Sequence, residues 1–168
     1  MGREEDMSVI RRGALALAAA SFATIGLAPP ASATAPATGT GGWGPPAPPV
    51  TISSRSADGN TIVTQVVVLN DTGVLTGADI DTITYTFHPD GTVTFTAITA
   101  YTGMVAGRSG TISFHFEGTG NTVSFQGQIQ TLSGTGTGGL AALHAQGTFQ
   151  GSFTTGAGTY VLQYHFDP

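Results

Sequence analysis

From Val50 onward, apolar side chains recur at every second position almost without interruption. The segment TITYTFH (82–88) sets Ile83, Tyr85 and Phe87 on one face and threonines with His88 on the other. Pro89-Asp90-Gly91 is a turn signal, and TVTFTA (92–97) returns with Val93, Phe95 and Ala97 on the apolar phase, which predicts a hairpin. TISFHFE (111–117) alternates Ile112, Phe114 and Phe116 against Ser113, His115 and Glu117. After Gly118-Thr-Gly-Asn121, TVSFQGQIQ sets Val123, Phe125 and Ile129 against serine and glutamines. HAQGTFQGSF (144–153) and TYVLQYHF (159–166) continue the alternation. With VTISSR (50–55) and TIVTQVVVL (61–69), this predicts about eight short, threonine-rich strands, and no 3.6-residue period follows residue 34.

The predicted fold is therefore all-β. Eight antiparallel strands in an up-and-down order close most simply into a barrel, which removes exposed edges, with a β-sandwich as the alternative. Of fourteen aromatic residues, the twelve beyond residue 50 all fall on the apolar phase. That face is too short for lipid. Ile112 to Phe116 spans about 14 Å at ~3.4 Å per residue, and an outer-membrane barrel needs an apolar band about 25 Å tall. The aromatics are expected to point inward, with no stable membrane insertion.

The first third of the chain reads differently. Arg11 and Arg12 precede GALALAAASFATIGLA (13–28), followed by Pro29-Pro30 and an A-x-A site at Ala31-Ser32-Ala33. A basic segment, a short apolar run and small residues describe a secretory signal peptide over 1–33, and hence a secreted or extracytoplasmic protein. The arginine pair leaves Sec and twin-arginine routes open. TAPATGTGGWGPPAPP (34–49) reads as a Pro/Gly-rich linker, with Trp43, the single tryptophan, inside it. The domain proper is expected over 50–168.

Charge narrows the partners. Past residue 33 only Arg55 and Arg108 are basic, against Asp58, Asp71, Asp79, Asp81, Asp90, Glu117 and Asp167, and lysine is absent throughout. Nucleic acid binding, which releases counterions through several cations, is excluded on that count. The absence of cysteine rules out disulfides, thiolate nucleophiles and thiolate zinc sites. No cofactor is implied, and the oligomeric state is left open.

Gly134-Thr-Gly136-Thr137-Gly138-Gly139 matches G-x-G-x-x-G, the dinucleotide fingerprint. That motif requires a helix at its last glycine and an acid about 20 residues on. A strand follows instead, and the next acid is Asp167. A barrel loop is expected there. No G-x-S-x-G occurs, and the acids are placed mostly in turns. His115, His144 and His165 share the polar phase. A hairpin centred near Gly156 would set His165 opposite Gly147, about 10 Å from His144, too far for a shared ion. No metal site is expected.

GRSGTISF (107–114), SGTGTGGLAALHAQGTF (133–149) and the closing TYVLQYHF together resemble a bacterial family of unknown function that is itself similar to the allene oxide cyclase barrel. The resemblance covers roughly 100–168. It implies an eight-stranded barrel whose lumen holds an oily, lipid- or polyketide-like molecule, and a cofactor-free cyclase or isomerase if there is turnover. The catalytic cysteine of the plant cyclase has no counterpart here. From the residues themselves, Tyr85, Phe95, Tyr101, Phe114, Phe125, Phe149, Tyr160 and Tyr164 are candidate lumen residues, with Gly127, Gly147 and Gly151 leaving room beside them. The phenols would orient a carbonyl-bearing ligand, or alternatively bond backbone carbonyls in a filled core. Arg108 and Glu117 are candidate polar groups at the mouth, with turn bonding and plain surface charge as their alternatives. A non-catalytic carrier, envelope or protein-binding β domain is the contrasting functional reading.

Overall fold

The computed structural model describes residues 34–168, so the expected leader lies outside the described residues. Nine strands follow one another: β1 (Ala37–Gly44), β2 (Val50–Ala57), β3 (Asn60–Gly73), β4 (Leu75–Phe87), β5 (Thr92–Val105), β6 (Arg108–Asn121), β7 (Ser124–Thr131), β8 (Leu143–Ser152) and β9 (Gly158–Phe166). One 3-10 turn, Gly138–Leu140, lies between β7 and β8. Neighbours pair antiparallel in the order β1-β9-β8-β7-β6-β5-β4-β3-β2, and β1 also pairs with β3. Eight strands thus close a barrel, and β2 is an extra strand outside the ring.

Composition assigns 34–49 to a linker, but its residues 37–44 form the strand that closes the barrel. The eighth stave is β1, while 50–55, the first strand expected from alternation, belongs to the extra strand. β1 and β2 lie end to end along β3. Gly41–Gly44 pair with residues 70–73, and after Pro45–Pro49 the chain resumes pairing at Val50↔Val66. Proline has no amide to donate, so the ladder breaks where PPAPP stands.

The register fixes the barrel's dimensions. Cross-strand partners followed once round run Thr61, Phe87, Val93, Gly120, Phe125, Gly151, Gly158, Trp43, and return to β3 at Asp71, ten residues beyond the start. A stagger of ten over eight strands, with ~3.3 Å per residue and ~4.8 Å between strands, gives a tilt of about 40° and a radius of about 8 Å. Barrels of this width are either filled by side chains or hold one small ligand.

All twelve aromatics beyond residue 50 are buried or half-buried, so the alternation reads their direction correctly. Several lie directly across from a glycine. Phe95 opposes Gly118, Phe125 opposes Gly151, Phe149 opposes Gly127, Trp43 opposes Gly158 and Tyr160 opposes Gly41. The ring edges occupy the space that a Cβ at those glycines would need. A Cβ at Gly127 would sit 2.6 Å from the Phe149 ring, and one at Gly158 would collide with the Trp43 indole.

One end of the barrel is sealed. Leu75, Val105, Leu140, Leu143 and Phe166 are buried together there. The glycine-rich SGTGTGG stretch is the loop that carries Leu140 into place. Its Thr137 amide donates to the Thr111 carbonyl at 2.8 Å, and the two threonine hydroxyls bond at 2.7 Å. The fingerprint match is thus a plug loop.

Gly127→Ala is expected to destabilise the barrel by about 1–3 kcal/mol, the usual cost of overpacking, because the new methyl meets both the Phe149 ring and the Glu117 carbonyl. Urea unfolding followed by Trp43 fluorescence measures this. A variant as stable as the parent would show that the ring-over-glycine contact is loose.

Candidate functional site

Away from the sealed end the lumen is open, and it holds a cavity of about 680 Å³. Its upper wall is aromatic. Tyr85, Phe95, Phe125 and Phe153 form a collar of touching rings, with centroids 5.7 Å apart for Tyr85–Phe95, Tyr85–Phe153 and Phe95–Phe125, and 4.7 Å for Phe125–Phe153. Phe116 and Phe149 continue it inward at 5.4 Å. The Pro45–Pro49 crossing and residues 154–156 line the rim. Trp43 stands between collar and floor, half-buried, stacked on Tyr160 at 6.5 Å and donating its indole N–H to the Gly156 carbonyl at 3.1 Å.

The floor is acidic. Asp71 on β3 and Asp79 and Asp81 on β4 are 7%, 5% and 5% exposed, and all three line the cavity. The acids are thus not confined to turns. Counting back by twos from Phe87, Tyr85 and Ile83 reaches Asp81 and Asp79, and counting on from Val67 and Leu69 reaches Asp71, so the phase that places the aromatics also places the acids. In register, Asp79 lies between Leu69 and Tyr101, Asp81 between Val67 and Thr99, and Asp71 between Trp43 and Gly77.

Their electrostatics follow from burial without a counter-charge. Asp79 and Asp71 lie close enough to perturb each other's protonation. Burial first, then the charges of Asp81 and Asp71, push the Asp79 carboxyl up to about 10. Burial raises Asp71 to about 6 against the opposing influence of Asp79. It raises Asp81 to about 6 against a short bond donated by the Thr99 hydroxyl. Asp79 is therefore the neutral member at neutral pH and Asp71 and Asp81 the anionic ones, an ordering set by environment. Asp71 Oδ2 and Asp79 Oδ1 have no hydrogen-bond partner, an uncommon condition for buried polar atoms.

The expected lumen residues separate into two groups. Phe95, Phe125, Phe149, Phe114 and Tyr85 line the cavity, and the Tyr85 phenol is pushed up to about 12 by burial and by Asp81. Tyr101 and Tyr160 spend their hydroxyls on the backbone. The Tyr160 hydroxyl donates to the Thr72 carbonyl at 2.8 Å and accepts the Leu75 amide at 3.0 Å. The Tyr101 hydroxyl donates to Met104 O at 2.7 Å and accepts the Thr76 amide at 3.0 Å. Together they pin the β3–β4 turn across the bottom of the barrel, which holds Asp71 and Asp79 side by side. Tyr164 is half-buried against the sealed-end core, beside Phe166.

Neither expected mouth residue lies at the mouth. Arg108 is at the sealed end, its guanidinium 4.0 Å above the Phe166 ring. Glu117 is exposed on the outer wall, paired between Thr96 and Gln128. The β8–β9 hairpin also turns earlier than expected, because the Ser152 and Ala157 backbones bond across it, and this sets His144 directly opposite His165. Their rings stack at 5.2 Å, and both face Asp167, at 2.9 Å and 3.4 Å. Among the described residues no group of three His, Asp or Glu side chains is arranged to hold a metal ion.

Two tests follow from the floor. Tyr160→Phe leaves the buried Leu75 amide without its acceptor and should cost about 1–3 kcal/mol of stability, with the three acids still present. No loss in urea unfolding would remove the pinning role. The second test is of pH. A carboxyl whose folded pKa is raised contributes stability that is full below its ordinary value near 3.8 and is lost as pH rises through the raised one. Stability of the empty protein should therefore fall from pH 4 through about 6, as Asp71 and Asp81 ionise, and go on falling toward pH 10 with Asp79. Asp90, held low by Thr92 at the surface, acts oppositely but only at more acid pH. Thermal melting from pH 4.5 to 9 should show this slope, and Asp79→Asn should flatten it. Melting points that rise with pH would overturn the assignment.

Residues 49–164 match the model of a family described as "Protein of unknown function (DUF3224)". A solved structure of a protein with unknown function from that family, from Shewanella oneidensis MR-1, superposes with a TM-score of 0.66 at 16% identity, over 80% of this chain and 99% of that one. It agrees with the barrel fold. No curated protein matches the chain. With its model spanning β2 to β8 and reaching into β9, the chain belongs to the DUF3224 family.

Proposed function

We propose that this protein is an exported barrel that holds one small, largely apolar molecule in its lumen. The observation that carries the reading is the cavity itself. At about 680 Å³ it falls within the roughly 300–1,000 Å³ range of small-molecule sites. Like those sites it combines mostly apolar walls with a few converging polar groups. From Asp79 to Phe87 the β4 wall rises about 20 Å along the axis at ~3.4 Å per residue and ~40° tilt, which suits an elongated guest. The resemblance to allene oxide cyclase-like barrels is consistent with an oily cargo, and the leader pattern over 1–33 supports export.

A cofactor-free cyclase or isomerase remains the enzymatic form of this reading. Its support is the divided acidity of the floor, where a neutral Asp79 beside anionic Asp71 gives one proton donor and one acceptor facing the same guest. The protein-binding alternative rests on a different surface. Val68, Ile80 and Ile98 are exposed on the outer wall of β3–β5, with Val68 directly opposite Ile80.

Uptake of N-phenyl-1-naphthylamine, a neutral apolar dye that brightens out of water, distinguishes them. The parent should take up one dye per chain, and Ala97→Phe, which fills the lumen from β5, should weaken uptake at least tenfold. Uptake that survives Ala97→Phe but falls on Ile80→Ser would place the apolar site on the outer wall. A discrete adduct of a few hundred daltons, seen by native mass spectrometry and released on denaturation, would give the cargo directly.

A further inference from the structure

The acids on the lumen floor make a more specific demand than an apolar cavity does. Asp71 and Asp79 are each more than nine-tenths buried and each carries an oxygen with no partner. Both face the cavity. A lone pair buried this way costs free energy until a donor reaches it. The titratable groups that face the floor from the surrounding strands are Tyr85 on β4, Tyr101 on β5, Tyr160 on β9 and Asp81 itself. Thr99 on β5 adds one hydroxyl. None of these is a cation, and the hydroxyls of Tyr101, Tyr160 and Thr99 are already engaged. The basic side chains beyond residue 33 lie elsewhere: Arg55 is exposed on β2 and Arg108 covers Phe166.

The counter-charge that Asp71 and Asp81 lack must therefore come with the guest. We infer that the lumen selects an organic cation, a protonated primary amine on an apolar body, with the ammonium seated on Asp71 and Asp79 and the body running up through the aromatic collar. This rests on the lumen-binding reading above and names its ligand class. A primary ammonium carries three donors and a positive charge, matching unpartnered acceptor oxygens beside anionic carboxyls, whereas a carboxylate or phosphate headgroup would be repelled by Asp71 and Asp81. Asp71 is the direct register partner of Trp43, and both line the cavity. A bare metal ion is the weaker match, because the three carboxyls do not converge on one point among the described residues.

The test compares three guests of equal chain length, decylamine, 1-decanol and decanoate, titrated below their micelle concentrations against the full chain. Emission from Trp43, which lines the cavity, is the readout. At pH 7.5 decylamine should bind at least tenfold more tightly than 1-decanol, and decanoate most weakly. The preference for the amine should shrink as pH is lowered toward 5, where Asp71 and Asp81 take up protons while the amine stays charged. Asp71→Asn should bring the amine within about threefold of the alcohol and leave alcohol binding in place. If that variant does not fold, the parent's amine-to-alcohol ratio and its pH profile decide alone. Equal binding of 1-decanol and decylamine would overturn the amine while leaving the apolar lumen standing. No binding by any of the three would overturn both.

Discussion

A large ring can lie across a barrel wall only where the neighbouring strand has no Cβ, and this constraint shapes the whole molecule. Trp43 over Gly158, Tyr160 over Gly41, Phe149 over Gly127, Phe125 over Gly151 and Phe95 over Gly118 line the interior in this way. Each pair gives up the entropy that glycine loses in a strand and gains the burial of an aromatic face. Laid against the wall, the rings leave the axis open in a barrel only about 8 Å in radius. The glycine content that makes the sequence look like low-complexity filler is what allows a small barrel to have a cavity.

The rings that make the cavity also make its floor electrostatically difficult. Low-dielectric walls on every side raise the cost of ionising any carboxyl among them. The chain nonetheless places Asp71, Asp79 and Asp81 there, with two oxygens unpaired. Structural ion pairs would have brought a lysine or arginine, and none lines this floor. Stability given up at one place, with the β3–β4 turn pinned by two phenols to hold the arrangement, is what binding sites commonly show.

Much of this was legible in the sequence and some was not. Period-two alternation identified the all-β class and the inward direction of the aromatics, because one dry face and one wet face leave a period that composition cannot hide. The same phase runs from Tyr85 back through Ile83 to Asp81 and Asp79. DTGVLTGAD (71–79) masks it, because its aspartates and glycines ordinarily mark turns. β1 was concealed for a related reason. A strand of ATGTGGWG has no apolar alternation, since glycine stands where inward side chains would, Gly41 beneath Tyr160 and Gly39 beside Val74. The placement of Arg108 and the opposition of His144 and His165 depend on where the long β7–β8 loop folds and where the β8–β9 turn tightens. Hydrophobic period carries neither piece of information.

The ring is closed by its two extremities. β1, the first described strand, is hydrogen-bonded to β9, the last, and the Thr34 amide reaches the Phe166 carbonyl at 2.8 Å. Every other neighbouring pair of staves is close in sequence and can form as the chain lengthens. The β1–β9 seam has to wait for residue 166, and contacts of such long sequence separation are slow to make. Until it forms, β9 has a bare edge, the lumen is an open trough, and its aromatics and acids face water. Closure of the cavity therefore waits for β9, and any guest present at that moment can be enclosed as the seam zips shut.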